Sequence, residues 1–263
     1  MYRANNELLS DGERKVSPPI YYSRLCQRLI TALSAQTGHG QLYEIDVRLR
    51  PMGSSGPLVS DFLRLEHYYQ NEAWVWELMA LTRARVIAGP KQLTKKIDVL
   101  IHKVLRQAYM LKNLKTDVLA MRKKVWQERP PAGLWDIKYS LGGLFDLDFL
   151  VQYLQLQNGG REPSILDSNT LKFFRNLAKF GGSDGSVLKE LSGSLEFFLQ
   201  IQSLIRICLS GVLDEESAPS GLREVLVRNC RVVDFNVLKE KLRAHQNSTH
   251  RHFVKLVGDY TMV

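Results

Sequence analysis

Leu42-Tyr43-Glu44-Ile45-Asp46-Val47-Arg48-Leu49-Arg50-Pro51 alternates with a period of two. Tyr43, Ile45, Val47 and Leu49 are apolar, while Glu44, Asp46, Arg48 and Arg50 are charged. Strict alternation predicts a half-buried strand. One face enters a core, and the other carries two carboxylates followed by two guanidiniums. Side chains at i and i+2 on such a face stand roughly 6–7 Å apart. That spacing suits a carboxylate that ligates a metal beside cations that hold a phosphate tail. An amphipathic edge strand with cross-strand ion pairs has the same pattern, so alternation alone leaves both readings open.

The loop that follows, Pro51-Met52-Gly53-Ser54-Ser55-Gly56-Pro57, places a glycine on each side of two serines. Asp46 is a candidate magnesium ligand, because that ion favours hard oxygen donors. Arg48 and Arg50 are candidates for phosphate charge. Ser54 and Ser55 offer hydroxyl and backbone donors to the same anion. Two-metal phosphoryl or nucleotidyl transfer needs several carboxylates together, and no Asp-x-Asp precedes this segment.

Composition sets the outer limits. A chain of 263 residues accommodates one large domain or two smaller ones. No apolar run approaches the roughly 20 residues that span a bilayer, and Met1-Tyr-Arg-Ala-Asn-Asn-Glu7 has no apolar secretory core. The three cysteines, Cys26, Cys208 and Cys230, are odd in number and widely spaced. They predict reduced, buried thiols in a cytoplasmic protein. No Cys/His spacing suggests zinc. The net charge is +9, and the window Lys91–Lys124 holds ten Lys or Arg against Asp98 and Asp117. That window suits nucleic acid, a nucleotide or an acidic protein partner, or a pair of helices with solvated faces.

The rest of the chain reads mostly as helix. Ser17 with Pro18 starts a helix that Thr37-Gly38-His39-Gly40 stops. Ser60 or Asp61 caps another, which bends or breaks near Asn71. The stretch 72–88 continues it to Gly89-Pro90. Basic helices follow at about 91–107 and 111–128. Trp135-Asp-Ile-Lys-Tyr139 alternates and predicts a short strand. Gly142-Gly143 then opens a helix to about Gln157, with Asp146 and Asp148 in its first turns, where capping or anion binding suits them. Further helices fall at about 167–180, 187–210, 219–229 and 234–257. Gly181-Gly-Ser-Asp-Gly-Ser186 superficially matches a nucleotidyltransferase glycine-serine loop. A helix follows it rather than a strand with paired aspartates, so it reads as an interhelical turn. No metal site is assigned to the histidines. The fold class is mainly α (α+β), with domains at 1–90 and 91–263.

Tyr43-Glu-Ile-Asp46-Val-Arg48-Leu-Arg50-Pro51-x-Gly53-x-x-Gly56 resembles a hallmark of the glutamine synthetase adenylyltransferase family. Asn71-Glu-Ala-Trp74-x-Trp76-Glu77 with Leu81-Thr-Arg83-Ala-Arg85-Val resembles a second block. Trp135-Asp-Ile-Lys138, Gly142-Gly143-Leu-x-Asp146 and Gln152-Tyr-Leu-Gln155-Leu resemble a third. Their order and spacing fit over roughly residues 8–240, and the second block resembles the adenylylating half more than the deadenylylating one.

The resemblance implies a partial nucleotidyltransferase fold over 1–90 and an all-helical bundle over 91–263. It implies transfer of AMP from ATP to a tyrosine of glutamine synthetase, with magnesium, under control of a PII signalling protein. Asp46 becomes the third carboxylate of a metal triad. Arg48, Arg50, Ser54, Ser55 and Asp146 become nucleotide-binding. No membrane or nucleic-acid partner is expected.

The chain departs from the family's pattern in several places. The glycine-serine loop and Asp-x-Asp strand are absent. Asp146-Leu-Asp148-Phe149 replaces Asp-Ile-Glu-Phe, and Leu78 stands where the family has His. The expectation is therefore an N-terminally truncated piece that is poorly active or inactive alone. Two alternatives accompany it: a non-enzymatic basic helical module, and the deadenylylating half of the same family.

Overall fold

The computed structural model describes residues 1–2, 8–41, 43–181 and 184–261. Leu42, Gly182 and Ser183, which belong to stretches read above, lie outside the described residues. Ten α-helices, three 3-10 turns and one hairpin of two two-residue strands account for the regular structure among the described residues. The class is mainly α with minor β. The chain divides into two compact units, Met1–Val104 and Leu105–Val263.

In the first unit, α1 (Pro18–Leu33) begins with Pro at its first position and Ser17 before it. Pro18 is its only fully buried residue; Ile20, Tyr21, Leu25 and Leu29 are exposed. Tyr2 stacks on Tyr22 at 4.7 Å between ring centroids. The helix ends in the hairpin β1 (Gln36–Thr37) and β2 (Gly40–Gln41), antiparallel across Gly38-His39. Gly40 takes φ +93°, a conformation that a side chain disfavours.

The strand expected over 42–51 is not formed. Residues 43–48 have no ladder partner among the described residues. The physical reason is that alternation specifies a face, whereas a strand also needs a neighbour for its backbone groups. The exposure pattern is still partly there: Glu44, Asp46 and Arg48 are exposed, while Ile45 and Val47 are half-buried.

Three helices build the core of this unit. α2 (Phe62–Asn71) is capped by Asp61, whose side chain accepts from the Leu63 N–H at 2.9 Å. α3 (Val75–Leu81) is short and ends well before the Gly89-Pro90 stop expected from the sequence. α4 (Lys91–Gln107) matches its expected range, and the division between units falls inside it. Phe62, Leu65 and Tyr68 of α2, Leu78, Met79 and Leu81 of α3, and Ile97, Leu100 and Val104 of α4 are buried.

The second unit is helical throughout. It holds α5 (Leu114–Glu128), α6 (Leu144–Asn158), α7 (Thr170–Phe180), α8 (Gly185–Cys208), α9 (Ser220–Asn229) and α10 (Phe235–Leu256). α6 is its central member and packs against α5, α8 and α10. Leu144, Leu147, Leu150, Val151, Leu154 and Leu156 are all buried, so α6 is apolar around its whole circumference, as an enclosed helix is. Asn169, Asp184 and Asp234 cap α7, α8 and α10 through side-chain acceptors. A helix follows the Gly181–Ser186 stretch, as read, and Asp184 caps it; Gly182 and Ser183 lie outside the described residues.

The strand expected at Trp135–Tyr139 is instead a turn. Asp136 Oδ1 accepts from the Tyr139 N–H at 3.2 Å and its carbonyl from the Ser140 N–H at 2.8 Å. An Asp side chain that satisfies nearby backbone donors favours such a turn over a ladder. The thiols also differ from expectation. Cys230 is buried, but Cys26 is half-buried and Cys208 is exposed at the end of α8.

Candidate functional site

The alternating segment presents Asp46 to solvent. Its carboxylate is held by Arg48: the Arg48 N–H donates to Oδ1 at 2.9 Å, Nε to both oxygens at 3.0 Å, and Nη2 to Oδ2 at 2.7 Å. The two side chains remain 52% and 79% exposed, respectively. The guanidinium hydrogen bonds, and then the Arg48 backbone N–H, pull the Asp46 carboxyl down to about 2. Asp46 is therefore a permanently charged, accessible acceptor at neutral pH. Glu44 is likewise exposed.

Arg50 behaves differently. Its Nη1 donates to the Val47 carbonyl at 2.6 Å, Nη2 to the Ser54 carbonyl at 3.1 Å and Nε to the Gly56 carbonyl at 3.2 Å. It staples the loop onto the segment before it. Gly56 accepts this closure because a Cβ there would meet the Pro51 carbonyl oxygen at 2.0 Å. Gly53–Ser55 form one 3-10 turn, and Ser54 and Ser55 are exposed. Asp46, Arg48, Arg50, Ser54 and Ser55 thus share one short stretch, with Arg50 turned inward to the backbone.

The loop is held from below by Glu77, whose block was quoted above without a role for it, and by Tyr68, which no motif contained. Glu77 is 4% exposed and receives the Tyr68 hydroxyl on both oxygens at 2.8 Å. It also accepts from the Trp74 N–H at 2.9 Å, closing the first turn of α3. The Tyr68 oxygen in turn accepts from the Met52 N–H at 3.1 Å, where Met52 sits in the left-handed region at φ 63°. The block that contains Glu77 therefore positions the loop of the first block. The available signal was Glu77 three residues after Trp74, which is the capping-box spacing. Arg50 also lines an apolar cavity with Leu65, Tyr69 and Leu81. Burial, then the charge of Glu77, pushes the Tyr69 phenol up to about 12.

Asp146, the remaining sequence candidate, lies in the second unit and is fully buried at 0% exposure. Arg122 Nε donates to its Oδ1 at 2.6 Å, the Tyr260 hydroxyl to its oxygens at 2.8 and 2.6 Å, and the Gly142 N–H to its Oδ2 at 2.6 Å. Arg122 Nη2 donates to the Tyr260 oxygen at 3.1 Å, with its guanidinium 4.2 Å above the Tyr260 ring. Burial, then the Asp146 charge, pushes the Tyr260 phenol far above its ordinary value. Gly142, at φ +71°, is the contact point with α10: a Cβ would lie 1.8 Å from the Gln246 carbonyl oxygen. Arg122 and Tyr260 stand 24 and 114 residues from Asp146 in sequence, and no local pattern announced them.

Adenylyl transfer through metal ions requires a cluster of oxygen donors. Asp46 supplies one carboxylate, and Arg48 already occupies both of its oxygens. No group of three or more His, Cys, Asp or Glu side chains among the described residues is placed to hold a metal. The donor set of the described residues does not by itself fit a two-metal centre.

Comparison with known proteins gives consistent matches. The family model for glutamate-ammonia ligase adenylyltransferase matches residues 1–99. Similar relatives are described as bifunctional glutamine synthetase adenylyltransferase/adenylyl-removing enzymes. One from Bradyrhizobium diazoefficiens is 36% identical over 248 residues, 94% of this chain and 25% of the relative. One from Brucella suis is 38% identical over 249 residues, 95% of this chain and 25% of the relative. No described helix is long and apolar enough to cross a membrane. Similarity runs through both units, and the chain spans about a quarter of the length of the curated relatives it matches.

Proposed function

We propose that this chain is part of an adenylylating enzyme that moves AMP from ATP to a tyrosine of glutamine synthetase, with a PII protein as regulatory partner. The observation that carries the reading is the continuous similarity over 94% of the chain to adenylyltransferases of that name. The adenylylating half is favoured over the deadenylylating one by the Asn71-Glu-Ala-Trp74-x-Trp76-Glu77 block. Residues 1–90 act as the partial nucleotidyltransferase domain and 91–263 as the helical bundle domain.

In this reading Asp46 offers one accessible carboxylate to the reaction centre. Arg48 both orients that carboxylate and supplies positive charge at the rim. Ser54 and Ser55 present exposed donors to the nucleotide. Arg50 shapes the loop through three backbone carbonyls and meets the nucleotide only by releasing them. A contact between Asp146 and nucleotide would require its carboxylate to leave Arg122, Tyr260 and Gly142. Holding the fold is the role its partners support. Magnesium belongs to the chemistry that the family implies, and Asp46 supplies one of the several carboxylates that would hold it.

The reading makes a direct forecast for the chain alone. Purified chain mixed with glutamine synthetase, labelled ATP and magnesium should transfer label no faster than a no-enzyme control. Robust transfer that Asp46→Asn abolishes would overturn the dependence on carboxylates outside this chain.

A further inference from the structure

In the second unit, the turn at 135–139 and the end of α8 enclose a cavity of about 440 Å³, within the range of roughly 300–1,000 Å³ that holds small molecules. Ile137, Tyr139, Ile205 and Leu209 give it an apolar lining, and Lys138 and Arg206 line it as well. The Lys138 ammonium stands 4.9 Å from the Tyr139 ring centroid and 5.4 Å from the Phe145 ring centroid. Lys138 is half-buried and Arg206 is exposed. Neither pairs with a carboxylate among the described residues. Asp136, the carboxylate of the lining, is already engaged: Oδ1 accepts from the Tyr139 N–H and Oδ2 from the Ala132 N–H, each at 3.2 Å. The turn is also fixed from behind. The Ile137 and Lys138 carbonyls accept from the Leu144 and Phe145 N–H groups at 2.8 and 3.0 Å. Trp135 stacks on Phe235 at 5.1 Å, and its Nε1 donates to Glu215 at 2.9 Å. This wall of the cavity is therefore preformed.

We propose that this cavity binds a small organic anion, a carboxylate or phosphate on an apolar body, whose charge meets Lys138 and Arg206 and whose body lies on Ile137, Tyr139, Ile205 and Leu209. Aromatic rings attract an ammonium but cancel none of its charge. Lys138 therefore brings a half-buried cation without a counter-ion to the wall of a cavity. Arg206 has a second use, because it stands in the last turn of α8, where a cation meets the negative end of the helix dipole. That end amounts to about half a negative charge, and Asp136 adds one that is directed at two backbone donors. The two cations leave the lining positive. An ammonium and a guanidinium fork are the groups that recognise carboxylate and phosphate oxygens. Gln202 and Ser210 add an amide and a hydroxyl to the same lining. The apolar remainder favours an anion that carries a body over a bare inorganic ion. None of these residues takes part in the proposed adenylyl transfer, so the inference stands apart from that reading.

The experiment is a titration of the full chain, followed by its amide chemical shifts, with benzoate, phenyl phosphate, inorganic phosphate and uncharged benzamide. At least one of benzoate and phenyl phosphate should shift the amides of residues 136–139 and 205–211 saturably, and the tighter of the two assigns the head group. Benzamide lacks the charge and inorganic phosphate lacks the body, so each should bind about tenfold more weakly or worse. Lys138→Gln and Arg206→Glu should each weaken the binding by about tenfold or more. Both should leave the helical circular dichroism unchanged, and Arg206, being exposed, keeps the test open if Lys138→Gln disturbs the turn. No saturable shift with either aromatic anion, or binding that Arg206→Glu leaves unchanged, overturns the proposal. Benzamide that binds as tightly as benzoate also overturns it, by reducing the cavity to an apolar hollow. So do shifts that spread over the basic stretch 91–124 instead, which would assign the anions to the chain's net charge of +9.

Discussion

Asp46 and Arg48 are two residues apart, and each sets the state of the other. Arg48 lowers the Asp46 carboxyl from the ordinary 3.8 to about 2, chiefly through its guanidinium hydrogen bonds. A carboxyl depressed in the folded chain contributes its contact fully above the ordinary value and loses it as pH falls through the folded value. The contact should therefore persist at pH 4, be half lost near pH 2 and disappear below it. Carbon-13 titration of the Asp46 carboxyl should give a midpoint near 2, and Arg48→Ala should return it towards 3.8. A midpoint at the ordinary value in the unsubstituted chain would contradict the pairing. The sequence disclosed which residues share this face, because a period of two needs only the order of side chains. It did not disclose that Arg50 turns to the Val47, Ser54 and Gly56 carbonyls. That depends on how the loop closes.

Elements were legible in proportion to how local their causes are. α4, α6 and α10 follow from caps, glycines and apolar spacing, all carried within a few residues. The expected strands at 42–51 and 135–139 failed for two different reasons. The first has no neighbour among the described residues, so its alternation finds no ladder. In the second, the Asp136 side chain captures the turn. α6 also shows what sequence periodicity leaves out. Asp146 in its first turn looked like a cap or an anion site, yet it anchors a buried network with Arg122 of α5 and Tyr260 beyond α10. Removing one partner of a buried ion pair leaves an uncompensated charge, which destabilises by about 3–5 kcal/mol. Tyr260→Phe removes a hydroxyl but leaves the ion pair and should cost about 1–3 kcal/mol. Denaturant unfolding of the second unit should rank Asp146→Ala well below Tyr260→Phe. Equal stabilities would show the network to be inert.

At the scale of the molecule, two units carry different burdens. The helical unit closes its own core: α6 is enclosed, and the one buried ion pair among the described residues is satisfied from three sides. The first unit buries the faces of α2, α3 and α4 but leaves α1 and the alternating segment largely uncovered. The central claim is that the Asp46 segment is a working piece of an adenylyltransferase reaction centre that other polypeptide completes. The most direct measurement grafts this chain in place of the matched quarter of the Brucella suis relative and follows ATP-dependent labelling of glutamine synthetase. The graft should label its target, and Asp46→Asn in the graft should lower the rate by about 10²–10³-fold, the scale expected when one electrostatic group of a reaction centre is lost. A graft carrying Asp46→Asn that labels as fast as the unsubstituted graft would contradict the claim.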